Sequence, residues 1–202
     1  MNSETLQHLS AADKVLGRLI RKVGPCTLKP ERNCSPFQSL VRSVAYQQLT
    51  GKAAATILGR VKNLFPTQRF PEPQDLVRIS VEQLRGAGLS RAKVAAVKDI
   101  AAKTLEGVVP TSVAIRKMSD AEILEQLTTI RGVGPWTVEM LLMFRLGRPD
   151  VLPITDYGVR KGFARTYKLD ELPTPKELLA HGEKWRPYRT TAAWYMWRAL
   201  EL

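Results

Sequence analysis

The stretch that decides the fold is residues 127–163, LTTIRGVGPWTVEMLLMFRLGRPDVLPITDYGVRKGF. Gly132 and Gly134 flank Val133 between two amphipathic runs, and Pro135 can take the first position of the helix that follows. Glycine permits a tight reversal, so we expect Val133 to point inward and the backbone N–H groups to point outward. The unpaired N–H groups at a helix start favour an anion. The sequence therefore predicts a hairpin of two helices that can hold a phosphate.

Further along the same stretch, Asp156 stands just before a basic run that contains Lys161. A carboxylate at this position can cap a helix, because its oxygens accept hydrogen bonds from the first N–H groups. By pattern alone, an ordinary cap is the better explanation of Asp156. Asp150 and Asp170 are other acidic candidates, and both flank turns.

The charge balance indicates the kind of partner. The chain has 202 residues, with 31 Lys+Arg against 19 Asp+Glu, which gives a formal net charge of +12. Such a surplus suits a polyanion, and together with a phosphate-binding hairpin it favours nucleic acid. The alternative is a solvated basic surface without a partner.

The composition also limits the compartment and the cofactors. The N-terminus, MNSETLQHLS, is polar, and no apolar run approaches the roughly 18 residues needed to span a bilayer. We therefore expect an intracellular protein with no membrane partner, in which Cys26 and Cys34 are reduced thiols. Two cysteines cannot hold an iron–sulfur cluster unaided, since such clusters use four ligands.

Helix starts are marked throughout, whereas the alternation typical of strands is nearly absent. Pairs with the spacing of a capping box are Ser10 with Asp13, Ser35 with Gln38, Ser80 with Gln83, Ser119 with Glu122, and Thr174 with Glu177. Pro36 and Pro175 can occupy first helical positions. The predicted fold is all-α, with about ten short helices in two lobes.

Longer motifs carry a resemblance to a known family. The string L-x-x-I-x-G-V-G-P-W-T resembles the helix–hairpin–helix of the HhH-GPD DNA glycosylases, most closely the 3-methyladenine DNA glycosylase II branch. Further matching segments are SVAYQQLTGKAA, GLSRAKVAAV, VLPITDYGVRKGF and WRPYRTTAAWYMWRAL. The similarity covers nearly the whole chain and implies the compact form, without an N-terminal β-domain.

The resemblance implies one glycosylase domain over residues 1–202, with the active-site cleft between its lobes. The central lobe would span about 50–150 and the second lobe about 1–49 plus 151–202. The partner would be double-stranded DNA with alkylated bases, bound by a monomer. The location would be the cytoplasm and nucleoid of a prokaryote, or the nucleus of a eukaryote.

The resemblance also makes Asp156 the catalytic residue. Cleavage of an N-glycosidic bond develops positive charge on the sugar, which a carboxylate can stabilise while it orients or deprotonates water. Branches that also cut the backbone place a lysine two positions after the second hairpin glycine. Trp136 stands there, so we predict a monofunctional enzyme that leaves an abasic site, with Lys161 contacting phosphate.

An alkylated purine is cationic and is attracted to aromatic faces by about 0.5–2 kcal/mol. We therefore expect a base pocket of Trp136, Trp194 and Tyr46, in which Trp194 matches a pocket tryptophan of the family. Tyr188 and Trp185 are further candidates, but for Trp185 and Trp197 the core is the better explanation.

The remaining predicted contacts lie along the DNA. Leu89 matches the family's intercalating residue and would be an exposed wedge, unless it folds inward. Gln47 would enter the groove or make a helix-to-helix hydrogen bond. The predicted DNA-binding residues are Gln47, Gly132, Gly134, Thr137, Lys161, Ser90 and Arg91. No cofactor is required, although the carbonyls of Thr128, Ile130 and Val133 could hold Na⁺ or K⁺.

Two alternatives remain open at this point. The chain could be a non-catalytic DNA-binding protein that uses the hairpin only as a clamp. It could also have the same fold but act on a neutral lesion such as uracil or hypoxanthine, which would need hydrogen-bond donors in the pocket.

Overall fold

The computed structural model describes residues 3–31 and 33–202, and within those ranges the chain forms helices and no strand. The all-α prediction is confirmed. In chain order the helices are α1 (Ser3–Ala12), α2 (Lys14–Val23), α3 (Pro36–Tyr46), α4 (Gly51–Asn63), α5 (Pro73–Arg78), α6 (Val81–Gly86), α7 (Arg91–Leu105), α8 (Ala114–Lys117), α9 (Asp120–Leu127), α10 (Pro135–Met140), α11 (Tyr157–Tyr167), α12 (Pro175–Gly182) and α13 (Arg189–Ala199). A π-helical segment, Leu141–Leu146, follows α10, and a 3-10 turn, Glu183–Trp185, precedes α13.

Four of the five predicted capping boxes are present, at the starts of α3, α6, α9 and α12. The prediction for Ser10 was wrong, because Ser10 lies inside α1. Asp13 is itself the cap of α2 and accepts hydrogen bonds from the N–H groups of Val15 and Leu16. Asp13, which directly follows α1, is thus the residue that caps the start of α2.

The first of two compact units combines residues 3–30 with 142–202. Its helices α11 and α13 cross closely, because a Cβ at Gly162 would lie 1.8 Å from the backbone oxygen of Met196. The N-terminal helix α2 packs against both of them. Tyr195 and Trp185 are fully buried in this unit.

A buried polar cluster around Asp13 connects the two segments of the chain that form this unit. Its carboxylate accepts hydrogen bonds from Tyr167, from His181 at 3.1 Å and from Trp185 at 3.0 Å. Burial raises the pKa of Asp13 and is the largest single influence, but the hydrogen bonds, from His181 foremost, together hold that pKa well below its ordinary value. Burial and the bond to Asp13 raise the pKa of Tyr167. The cluster joins the α1–α2 junction to α11 and α12.

The second unit comprises residues 31–141 apart from residue 32. Helix α7 is its central element, with α3, α5 and α6 packed against it, and α3 also contacts α4 and α10. The boundaries thus fall near residues 31 and 141, whereas the sequence predicted about 50 and 150. Helix α3 belongs to this unit because it packs on α7.

No helix in the described ranges is long and apolar enough to cross a bilayer. Cys26 and Cys34 are free thiols, as predicted, and burial raises the pKa of Cys26.

Candidate active site and nucleic-acid interface

Asp156 is the cap of α11, and one of its oxygens receives two N–H donors. Oδ1 accepts a hydrogen bond from the backbone N–H of Val159 at 2.7 Å and another from the indole N–H of Trp197 at 2.9 Å. Its own N–H donates to the carbonyl of Pro153 at 3.0 Å. The carboxylate is half-buried, so it is both oriented and accessible.

Trp197 reaches Asp156 because Gly158 leaves room for its ring. A Cβ at Gly158 would lie 2.8 Å from Cδ1 of Trp197. The indole also stacks on Phe144, with ring centroids 5.7 Å apart and an interplanar angle of 26°. Trp197 is half-buried and Phe144 is partly exposed, so an aromatic surface adjoins the carboxylate. The prediction that Trp197 belongs to the core was wrong.

Trp194, a predicted base-pocket residue, is largely enclosed by its neighbours in the first unit. Its side chain is only 8% exposed, and the guanidinium of Arg198 lies 5.5 Å from its ring centroid. Tyr195 packs edge-on against the same ring at 4.9 Å. These neighbours cover most of the indole, and the role of Trp194 in a base pocket stays a prediction. Trp185 is fully buried and bonded to Asp13, as the core interpretation predicted.

The hairpin between α9 and α10 needs its first glycine for two reasons. Gly132 has φ +77°, and a Cβ there would lie 2.4 Å from the Cβ of Ala96. Val133 is buried, as predicted, and its N–H donates to the carbonyl of Ile130 at 3.0 Å. Gly134 caps α10 and is surrounded by open space. The buried Val133 thus anchors the turn, while the side that carries Gly134 stays accessible.

Gln47 holds this hairpin against α3. Its amide N–H₂ donates to the carbonyl of Gly132 at 3.0 Å and to the hydroxyl of Thr137 at 2.9 Å. The helix-to-helix interpretation of Gln47 is therefore confirmed. Thr137 is only 1% exposed, because Gln47 and the core enclose its side chain, so a contact between Thr137 and DNA stays a prediction.

Two residues of α7 support the same surface. The Lys93 ammonium donates to the carbonyls of Ala45 at 2.9 Å and Gln47 at 2.7 Å, and burial lowers the pKa of Lys93. The Asp99 carboxylate accepts the N–H of Arg131 at 2.8 Å. Sequence patterns missed both residues, because each acts on a backbone group more than thirty positions away.

Leu89 is 4% exposed, so the predicted exposed wedge was wrong and the inward alternative holds. Gly88, at φ +107°, turns the chain back at the end of α6, and the Leu89 N–H donates to the carbonyl of Leu84 at 3.3 Å. Such a closure, in which an apolar residue follows a left-handed glycine, is a common end of a helix. Ser90 caps α7, and both it and Arg91 are exposed, as a contact with DNA would require.

An exposed apolar side chain does occur on the loop between α3 and α4. Gln48 has φ +54°, a left-handed conformation that is uncommon outside glycine. The next residue, Leu49, is 40% exposed. Since Gln47 bonds the hairpin, this loop tip lies beside the hairpin turn within the same unit.

The remaining predicted residues are accessible to different degrees. Tyr46 and Trp136 are half-buried in the second unit, whereas Lys161 is exposed on α11 with its ammonium 5.8 Å from the ring centroid of Tyr157. No group of three or more His, Cys, Asp or Glu side chains placed to hold a metal ion occurs among residues 3–31 and 33–202.

Comparisons with known proteins identify the family to which the sequence and the fold are similar. A family model described as "HhH-GPD superfamily base excision DNA repair protein" matches residues 41–187. The DNA-3-methyladenine glycosylase 1 of Schizosaccharomyces pombe is 39% identical over 198 residues, which cover 96% of this chain and 86% of that protein. The alkylbase DNA glycosidase-like protein of the same organism is 34% identical, covering 97% and 92%. The solved S. pombe 3-methyladenine DNA glycosylase in complex with abasic DNA has a TM-score of 0.94 at 38% identity, covering 99% of this chain and 98% of that one.

Proposed function

Because the chain belongs to the HhH-GPD superfamily of base excision DNA repair proteins, we propose that it is a DNA glycosylase that removes alkylated purines from double-stranded DNA. The observation that carries the proposal is the half-buried Asp156 carboxylate, fixed by Val159 and Trp197 at the start of α11. The product would be an abasic site, reached by hydrolysis of the N-glycosidic bond.

The chemistry required of Asp156 follows from the charge that develops on the sugar. As the bond to the base breaks, the deoxyribose acquires oxocarbenium character, and an oriented carboxylate stabilises it. The same carboxylate can orient the attacking water or take its proton. Two N–H donors on Oδ1 restrict its rotation, so little reorganisation is needed as the bond breaks.

The aromatic surface of Trp197 and Phe144 suits a cationic base next to this carboxylate. A ring face attracts a cation by about 0.5–2 kcal/mol, whereas a neutral purine lacks that contribution. A cationic purine is also a good leaving group, so the mechanism needs no strong general acid and no organic cofactor. This favours alkylated purines over neutral lesions.

DNA would be held through its phosphates by the hairpin turn and by exposed basic residues such as Arg91 and Lys161. With Leu89 buried, we propose Leu49 as the apolar side chain that fills the gap left by the flipped base. Trp136 stands where lyase branches have lysine, so we expect no backbone cleavage.

The hairpin is also compatible with a monovalent cation. The carbonyls of Thr128, Ile130 and Val133 would hold Na⁺ or K⁺, which would supply positive charge that attracts a DNA phosphate. The Ile130 carbonyl accepts the N–H of Val133 within the turn, and a carbonyl oxygen has two lone pairs. We expect a monomer that acts where DNA is kept, in a nucleoid or nucleus, because one lesion requires one hairpin.

The test is base release from duplex DNA that contains methylated purines. We expect the native protein to release 3-methyladenine and 7-methylguanine, and Asp156→Asn to lower the rate at least 100-fold while binding to abasic DNA is retained. Asp170→Asn is the matched control, because it removes one negative charge from an exposed site. Salt-sensitive DNA binding without base release from the native protein would indicate a non-catalytic clamp.

A further inference from the structure

The segment that leads to Asp156 is bonded to the first turn of α13. The Thr190 hydroxyl donates to the carbonyl of Arg148 at 2.6 Å and accepts the N–H of Val151 at 2.9 Å. The N–H of Thr190 donates to the carbonyl of Pro149 at 3.0 Å. Thr190 is buried, so these bonds are shielded from water.

Asp150, within the same segment, forms an ion pair with Arg189. Arg189 Nε lies 2.8 Å from one carboxylate oxygen, and Nη2 lies 3.1 Å from the other. The same Nη2 donates to the backbone carbonyl of Asp150 at 3.0 Å. The Arg189 side chain is 11% exposed, whereas the second partner of Asp150, Arg186, is 49% exposed. A two-pronged and largely buried pair fixes geometry far better than an exposed one.

The same helix holds the other end of the segment. Trp197 follows Thr190 by seven residues, which is about 10 Å along a helix, and donates to Asp156. Residues 148–156 are therefore attached to α13 at both ends, through Arg189 and Thr190 first and through Trp197 last.

We infer that Asp150 and Arg189 are positioning residues for hydrolysis of the N-glycosidic bond. Their ion pair fixes residues 148–156 and thereby sets the position of the Asp156 carboxylate. This inference rests on the proposed function. Neither residue needs to touch DNA in this role. A displacement of about 1 Å at a reacting group can lower a rate about 100-fold, so a loosened attachment at Asp150 would affect chemistry before it affected binding.

The first readout is catalytic. For Asp150→Asn and Arg189→Gln we expect the single-turnover rate of 7-methylguanine release to fall about 10–100-fold. Binding to an abasic duplex should stay within about threefold of native, and the double variant should be no worse than the poorer single variant. A parallel loss of rate and binding, or additive losses, would overturn the inference.

Two control variants separate positioning from stability. Arg186→Gln removes the exposed partner of Asp150 and should keep a near-native rate. Tyr167→Phe removes a bond of the buried Asp13 cluster elsewhere in the unit, so it should lower stability without lowering the rate of the folded protein. A comparable fall in rate in Tyr167→Phe would mean that general destabilisation explains the Arg189 result.

The second readout does not depend on activity. The four tryptophans each give an indole N–H signal in the NMR spectrum, and the signal that disappears in Trp197→Phe belongs to Trp197. We expect the Trp197 signal to shift in Asp150→Asn and Arg189→Gln, and to stay in place in Arg186→Gln. An unchanged Trp197 signal in both Asp150→Asn and Arg189→Gln would overturn the inference even if base release were confirmed. A shifted signal without base release from the native protein would overturn the proposed function alone.

Discussion

Trp197 and Asp156 meet where α13 crosses α11, with the indole N–H 2.9 Å from Oδ1 of the carboxylate. The contact exists because Gly158, two residues after Asp156, has no side chain to exclude the ring. A single tryptophan thus orients the acidic group and also presents an aromatic face beside it.

Replacement of Trp197 separates these two roles. Trp197→Phe keeps an aromatic ring but loses the hydrogen bond to a charged group, which is typically worth about 1.5–3 kcal/mol. We expect single-turnover release of 7-methylguanine to fall about 10–100-fold, with Trp197→Ala slower still because the surface shared with Phe144 is lost. A native rate in Trp197→Phe would show that the hydrogen bond is dispensable.

The crossing of α11 and α13 should not tolerate a methyl group at Gly162. A Cβ there would lie 1.8 Å from the backbone oxygen of Met196, so the helices would have to separate. We expect Gly162→Ala to lower the free energy of unfolding by about 3 kcal/mol, as measured in urea. The control is Gly59→Ala in α4, where the space is open and a gain of about 0.5–1 kcal/mol is expected. Equal effects at both positions would contradict the close packing.

Loss of the Gln47 amide should loosen the hairpin turn. Gln47→Leu leaves the buried Thr137 hydroxyl and the Gly132 carbonyl without their donor, so we expect a loss of about 1–3 kcal/mol in the free energy of unfolding. Affinity for abasic DNA should fall with it. Gln68→Leu, on an exposed loop of the same unit, should change neither quantity. Weaker DNA binding without any loss of stability would mean that Gln47 contacts DNA directly.

Leu89 and Leu49 should respond in opposite ways. Leu89→Ala removes a buried side chain and should cost about 2–4 kcal/mol of stability, with equal effects on duplex and single-stranded substrates. Leu49→Ala should leave stability unchanged and lower excision from duplex DNA more than from single strands. Base-release assays on both substrates, with urea unfolding, decide between the two. A duplex-specific defect in Leu89→Ala would restore the original wedge assignment.

The Asp13 cluster predicts a pH-dependent stability. Because the pKa of Asp13 is lowered in the folded protein, its contribution is present above the ordinary value of 3.8 and is lost as the pH falls below it. We expect Asp13→Asn to cost about 3 kcal/mol at pH 7, since the buried donors lose their carboxylate. The difference from native should shrink between about pH 5 and pH 2. A difference that stayed constant over this range would contradict a lowered pKa, and Asp170→Asn should show little difference at any pH.

Features that depend on neighbouring residues could be predicted from the sequence. The caps at Ser35, Ser80 and Ser119 are local, and so is the Gly132–Val133 turn. Trp194 and Trp197 could not be distinguished, because both lie on one side of a helix and only its crossing with another helix decides which meets Asp156. The sequence spacing likewise gives no indication that Asp150 and Arg189 form an ion pair.

Leu89 shows a different kind of error. Its neighbours Gly86, Gly88 and Ser90 are typical of an exposed loop, and the family motif favoured a wedge. A left-handed glycine followed by an apolar residue is also a common way to close a helix, and here the apolar side chain is buried. That local signal was available in the sequence.

The order of the elements along the chain bears on synthesis. Residues 31–141 form a unit from one continuous segment, so it can fold while translation continues. The other unit requires α2 from the start of the chain and α13 from residues 189–199. Its early helices must therefore remain without their packing partner until α13 has been synthesised. A chain that terminates prematurely before α13 would still carry the hairpin but would lack the helix that secures Asp156.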